Sequence, residues 1–334
     1  MQRKSRGRAS GAKRERGIAI VTVLLVVALA AALAASVVWR QRVAVRDVEN
    51  QRLAVETMWV ERAAVEWARV TLRSQAATSN VTFEGQPWSA PIADAPLSTL
   101  LPGDMLAVNS ELANASISGR VEDAQARFNL TNLVSRPGPS QPWQINGDGV
   151  LAYRRLLSRL SLDPALAKVT AAYMLRSLSD GRGAADWPMQ LVSPADLARI
   201  PGYDAAVAGT LAPFVTVLPD LTTVNANTAA EPVLAAAIPD LSESQARRLV
   251  DRRATAYFVG TGDIATVLSP PLTGATLPPG SLVGVTSAYF IVHCRIHSAR
   301  LDTRIDTLIA RYGIGNFTWT SVIWVHRLAG GADV

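Results

Sequence analysis

From Ile18 to Trp39 the chain runs for 22 residues without a charge, and Thr22 and Ser36 are the polar side chains in that run. As a helix it spans ~33 Å at 1.5 Å per residue, enough to cross a hydrocarbon core of roughly 30 Å. A core helix of a soluble domain shows a polar face over such a length, so the segment predicts a membrane span. A cleaved secretory signal has a shorter apolar region, ~7–15 residues, ending at a small-residue site. Helix breakers are also absent: no glycine lies between Gly17 and Gly85, and all 19 prolines lie at or after Pro87. Residues 18–84 are therefore open to one long helix.

Charge supports this order. The formal net charge is +6. Residues 1–17 hold seven basic groups (Arg3, Lys4, Arg6, Arg8, Lys13, Arg14, Arg16) against Glu15, which accounts for all of it. The remainder balances 26 basic against 26 acidic groups, from totals of 33 and 27. The chain as a whole does not carry the basic surface of a nucleic-acid binder. By the positive-inside rule, the leader stays in the cytoplasm and the rest of the chain lies on the other side of the membrane. Cys294 is the sole cysteine, so an intrachain disulfide and a multi-cysteine zinc site are excluded.

After the span, residues 40–76 continue as an amphipathic helix. Val48, Val55, Trp59, Ala63, Trp67 and Val70 fall on one face. Arg46/Glu49, Arg62/Glu66 and Glu66/Arg69 are spaced for ion pairs along a helix.

A basic leader, the Arg16-Gly17 step, an abrupt apolar start at Ile18 and a long two-part helix resemble a type IV prepilin or secretion-system pseudopilin. In that family a membrane peptidase cuts after the glycine, here between Gly17 and Ile18. Major pilins carry glutamate as the fifth mature residue, a position held here by Thr22. Its absence is characteristic of the minor pseudopilin K family of the type II secretion system. The string Ser118-Gly-Arg-Val-Glu-Asp-Ala-Gln-Ala-Arg-Phe-Asn-Leu-Thr-Asn-Leu133 also resembles that family, as does Val224-Asn-Ala-Asn-Thr-Ala229 with Leu241, Ala246 and Arg252-Arg253. The resemblance covers roughly residues 13–312.

The head reads as a sheet split by helices. Residues 78–116 read as loop and turn, with Phe83 and Trp88 as anchors. Ile117–Val121 and Ala126–Leu130 predict an antiparallel pair. Helical patterns follow at 149–160, at 163–178 with Asp163 capping and Pro164 at the first position, and at about 193–200. Asn227 or Thr228 is expected to cap the next helix. Ser242 and Gln245 have capping-box spacing for the one after it. Tyr289–Ile296 and Asp302–Arg311 predict a hairpin, with Tyr289, Ile291 and His293 on one face and Phe290, Val292 and Cys294 on the other. Val322–Val325 marks a short extra strand in a tail that is otherwise unassigned.

The expected organisation is a leader (1–17), a membrane helix (18–39) and its amphipathic continuation (40–76). The first part of a pilin-like sheet (77–134) comes next, then a helical insertion (135–222) and a second helical subdomain (223–280). The second part of the sheet (281–312) and a tail (313–334) complete the chain. The class is α+β: a long N-terminal helix packed on a small antiparallel sheet, with a large all-α insertion of SAM-like, helix-hairpin-helix-like character.

No residue pattern assigns catalysis. H-E-x-x-H, P-loop and G-x-S-x-G motifs are missing. Val259–Ala265 fits G-x-G-x-x-A but lacks a surrounding βαβ unit, so it reads as a loop. His293 reads as a sheet residue. Leu197–Tyr203 has the look of a helix-hairpin-helix turn, which in a neutral body reads as protein packing. Members of the K family bind calcium through acidic residues in the first helical subdomain. The matching run here, residues 176–186, keeps only Asp180 and Asp186, while Arg176 and Arg182 intrude, so no metal or other cofactor is expected.

The resemblance implies a non-enzymatic minor pseudopilin at the tip of the secretion pseudopilus. Its partners would be other minor pseudopilins, met along the Val48–Val70 face, and the prepilin peptidase, with no nucleic acid. A membrane-anchored periplasmic enzyme and a DNA-uptake minor pilin are the alternatives.

Overall fold

The computed structural model describes residues 12–100, 111–138, 140–179, 187–268, 276–313 and 315–328. A single helix, α1 (Ala12–Thr78), runs for 67 residues, about 100 Å at 1.5 Å per residue. It ends before Gly85 and Pro87, the first breakers after Gly17. Among the described residues it is the one helix long and apolar enough to cross a membrane, with a window of mean hydropathy 2.8 and no part of that window buried.

The C-terminal part of α1 lies on a five-stranded antiparallel sheet. Its strands are β1 (Ile92–Pro96), β2 (Ser116–Asp123), β3 (Tyr289–His297), β4 (Asp302–Tyr312) and β5 (Trp319–Leu328), in that spatial order. The helical body is thus inserted between two neighbouring strands, with Val121 opposite Val292 across the join. Phe290, Val292, Cys294 and Ile296 face the helix together with Ile305 and Ile309, packing on Val60, Val65, Ala68 and Leu72. Tyr289 and Ile291 turn to the far face with Leu308 and Ala310, covered by Ala124 and Leu218. The alternation predicted for this hairpin is the observed one.

The helices of the inserted body are α2 (Gly147–Arg159), α3 (Leu166–Leu178), α4 (Ala205–Leu211), α5 (Glu231–Ala237), α6 (Glu243–Thr255) and α7 (Thr261–Leu268). They enclose their own core, in which Phe128 stacks on Tyr153 at 5.6 Å. The hydroxyls of Tyr153 and Tyr203 are 2.8 Å apart, and that of Tyr203 lies 2.7 Å from Thr170 Oγ1.

Several local expectations need correction. Ala126–Leu130 does not pair with Ile117–Val121. Phe128–Asn129 instead pairs in parallel with Val215–Thr216, and β2 pairs with β1 and β3. The stretch read as loop at 78–116 contributes β1. Asp163 caps a turn, accepting from Ala165 N at 2.8 Å, and α3 starts three residues later. The 193–200 helix is one 3-10 segment, Pro194–Arg199. Neither Asn227 nor Thr228 caps α5, because both side chains are held by partners elsewhere. The Ser242–Gln245 capping box forms as expected. Val259–Ala265 runs from a loop into α7, where Asp263 Oδ2 accepts from Val259 N and Gly260 N.

Candidate subunit interface

Beyond the span, α1 shows two different apolar faces. Val60, Val65, Ala68, Leu72 and Ala76 are buried against the sheet, and polar Thr57, Glu61 and Gln75 are buried with them. The predicted stripe is a different set. Val48, Val55, Trp59, Trp67 and Val70 remain 47–65% exposed, and Ala63 is exposed as well. Ala63 and Trp67 also edge a cavity of about 260 Å3 between the helix and β2–β3, floored by Ile117, Val292 and Cys294. The stripe that reads as most hydrophobic in sequence therefore points outward, and the face that packs on the head mixes valine, alanine and leucine with buried polar side chains that the sequence reading passed over.

Polar bonds fix this rotation of α1. Arg69 donates to Thr320 Oγ1 at 3.1 Å and to Thr320 O at 2.8 Å on β5. Arg327 of β5 reaches Glu61 Oε2 at 2.7 Å. Arg311 of β4 donates to Leu72 O at 3.3 Å, Thr82 Oγ1 at 3.1 Å and Ser287 O at 2.8 Å, and also to Gln75. Burial pulls the Arg311 guanidinium down to about 10. The tail strand β5 thus serves to clamp α1 in place with the predicted stripe outward.

A second polar centre ties the sheet to the helical body. The Asp123 carboxylate is buried. It accepts from Thr228 Oγ1 at 2.6 Å, Ser287 Oγ at 2.7 Å, Asn225 Nδ2 at 2.8 Å and Gln125 N at 2.9 Å. Burial raises its pKa in spite of these donors. Asn129 accepts from Leu218 N at 3.0 Å and donates to Asp220 O at 2.8 Å. Asn132 exchanges bonds with the backbone of Thr222, at 2.7 and 3.0 Å, and Asn227 does the same with Phe258, at 3.0 and 2.7 Å. The two distinctive strings, at 118–133 and 224–229, are therefore sets of side chains that stand in for backbone partners across the fold.

Of the other singled-out residues, His293 lies on the outer sheet face. Its Nδ1 is 2.6 Å from Asp306 and its Nε2 is 3.2 Å from Glu122. Tyr203 and Ile200, in the hairpin-like turn, are buried, so that turn anchors the helical core. Gly17 and Ile18 lie within α1, and Thr22 is on its exposed surface. Asp180 and Asp186 fall outside the described residues.

The comparisons with known proteins match this architecture. Two family models described as type II secretion system protein K match residues 126–220 and 224–283. A type II secretion system protein K of Pseudomonas aeruginosa is 30% identical over 75% of this chain and 75% of its own length. This chain belongs to the type II secretion system protein K family. The Klebsiella pneumoniae member is 28% identical over 77% of this chain and 80% of its own length. Among solved structures, the GspK-GspI-GspJ complex of enterotoxigenic Escherichia coli contains a chain that matches with a TM-score of 0.62. It covers 84% of this chain and 99% of that one at 20% identity, a likeness of fold. The family places the chain as a minor pseudopilin of type II secretion, with a pilin-like α+β fold.

Proposed function

We propose that this chain is a non-catalytic tip subunit of the secretion pseudopilus. The uncharged run of α1 anchors it in the inner membrane, with the leader cytoplasmic and the head periplasmic. Prepilin peptidase cuts between Gly17 and Ile18, and a helical glycine supports that site, since it weakens the first turns that the peptidase must unwind. The head then assembles with other minor pseudopilins. The solved relative was captured with GspI and GspJ, and the corresponding subunits are the partners inferred here. No cofactor enters this role. The mass of helices between β2 and β3 favours the tip, where no subunit above has to cover it.

One observation carries the reading: the Val48–Val70 stripe stays exposed on a helix whose opposite face is already packed. A stripe of valines and tryptophans of this length marks a protein-interaction surface. The experiment is co-purification of the full chain with the other minor pseudopilins of its system, wild type against Trp59→Glu/Trp67→Glu. Loss of the complex with an unchanged melting temperature is expected. An unchanged complex would place the contact elsewhere.

A further inference from the structure

Where the apolar run ends, α1 carries charge that no described residue pairs with. Arg40, Arg42 and Arg46 are exposed. Among the described residues they have no ion pair or hydrogen bond, whereas Arg52 and Arg69 further along pair with Glu56 and Glu66. No acid lies between Trp39 and Arg46, so three positive charges precede the first negative one at Asp47. Trp39 itself is 68% exposed. An exposed tryptophan at the end of an apolar helix marks the membrane–water boundary.

Helix geometry places these charges at the headgroups. Arg40 and Arg42 lie within about 5 Å of Trp39 along the axis, and Arg46 about 10 Å beyond it. The headgroup layer adds roughly 5–8 Å on each side of the hydrocarbon. Arginine stems can snorkel over that distance. Arg42 and Arg46 share one face, being four apart, and Arg40 projects from nearly the opposite side at 100° per residue. The three therefore ring the helix, and guanidinium forks match phosphate oxygens bidentately. By the positive-inside rule, arginines on the translocated side work against insertion, so this ring calls for a role of its own.

We propose that Arg40, Arg42 and Arg46 form a collar that binds the phosphate of anionic phospholipids, of the phosphatidylglycerol class, in the leaflet facing the head. The proposal rests on the membrane reading above. Assembly into a filament would then have to break these headgroup contacts, so the collar retains the subunit in the bilayer until extraction.

The test uses quenching of Trp39 in full-length protein reconstituted in phosphatidylcholine vesicles containing acyl-brominated lipid. Trp59 is the next tryptophan, about 30 Å further along the helix and beyond the brominated chains. Brominated phosphatidylglycerol is expected to be preferred over brominated phosphatidylcholine by up to about fivefold for each headgroup held. The preference should fall to parity in Arg40→Gln/Arg42→Gln/Arg46→Gln and weaken in high salt. Arg73→Gln, on exposed α1 far from the bilayer, should leave it unchanged. Equal quenching by the two lipids in the wild type would overturn the collar. So would a preference abolished by inorganic phosphate but not by chloride at equal ionic strength, which would assign the site to free phosphate. Quenching by neither lipid would instead overturn the membrane reading itself.

Discussion

Asp123 at the end of β2 accepts a 2.8 Å hydrogen bond from Asn225, 102 residues later in the helical body. Around that bond converge Thr228, the Ser287 hydroxyl that precedes β3, and the carbonyl of Thr82 just after α1, which also accepts from Asn225. Three parts of the head thus share one buried carboxylate. Asp123→Ala removes the acceptor of the Thr228 and Ser287 hydroxyls and of Gln125 N, at about 1–3 kcal/mol for each group stranded in the interior, while Asn225 keeps the Thr82 carbonyl. The expected loss is about 3 kcal/mol or more in denaturant unfolding, the sum over these stranded donors. Amide exchange should accelerate most at residues 224–229 and around Ser287. Exchange that rises evenly across the head would show that the bonds do not tie its parts together.

Neighbouring residues on α1 should separate folding from assembly. Leu72 is fully buried and Val60 nearly so, while Trp59 points outward. Leu72→Ala should cost about 2–5 kcal/mol of head stability. Trp59→Ala should leave unfolding unchanged while weakening the complex with other minor pseudopilins by at least about 2 kcal/mol, the scale of an interface hot spot. Titration calorimetry and denaturation on the same two variants check both halves. A Trp59→Ala protein that melts early but binds normally would reverse the assignment of the two faces.

This division of α1 was only partly legible in the sequence. Its extent followed from the positions of glycine and proline, and the Tyr289–Ile296 hairpin from strict alternation, because both signals are local. The stripe was found because valine and tryptophan dominate any hydrophobic count. The face that packs on the sheet was missed because its apolar residues, Val60, Val65, Ala68 and Leu72, are interleaved with the polar Thr57, Glu61 and Gln75, which are buried beside them and break the apolar period. The false pairing of Ala126–Leu130 has a similar origin. Its apolar alternation is real, but Asp123 and Asn129 bond to segments about ninety residues or more away, and those bonds end the strand. Such distant partners leave no periodicity to read.

The His293 ladder predicts a pH dependence. Burial acts to lower the pKa of His293, but the hydrogen bonds it donates to Asp306 and Glu122 outweigh it, and the net shift is upward from 6.5. A histidine raised in the folded state contributes stability that is complete below its unfolded value and is lost as pH rises through the folded value. Glu122 is shifted the other way. Burial opposes the shift, but the His293 bond and Arg127 lower its pKa from 4.5, so its contribution is present above that value and is lost on acidification. The ladder is therefore strongest between about pH 4.5 and 6.5. Unfolding free energy should decline above that window, by at most ~1.4 kcal/mol per pH unit for one proton. His293→Phe should remove that slope. A wild-type curve parallel to the variant's would show the ladder to be energetically silent.

Processing should follow from Gly17. Co-expression with an active prepilin peptidase is expected to give a chain shortened by its first 17 residues, as read by intact mass. Gly17→Val should block the cut, since a β-branched side chain crowds the scissile peptide and stiffens the backbone that must open there. An unshortened wild-type chain in the presence of active peptidase would count against cleavage at this site.

Thr22 tests the tip placement. A carboxylate at this depth is costly in lipid and needs a cationic partner, such as the free N-terminal amine of a neighbouring subunit. A tip subunit has no subunit above it to present that amine, so an uncharged residue suffices. A threonine hydroxyl in a helix can be satisfied by the carbonyl one turn earlier. Thr22→Val removes one locally satisfied polar group and should leave secretion close to normal. Thr22→Glu introduces a charge about 6 Å into the span, at a cost below the roughly 2.5–3.5 kcal/mol of an acidic residue at its centre, and should reduce secretion at equal expression. The comparison is secretion of a reporter substrate by cells carrying each variant. If valine abolishes secretion while glutamate improves it, Thr22 makes an intersubunit contact of the kind the other pilins make through glutamate, and the subunit does not sit at the tip.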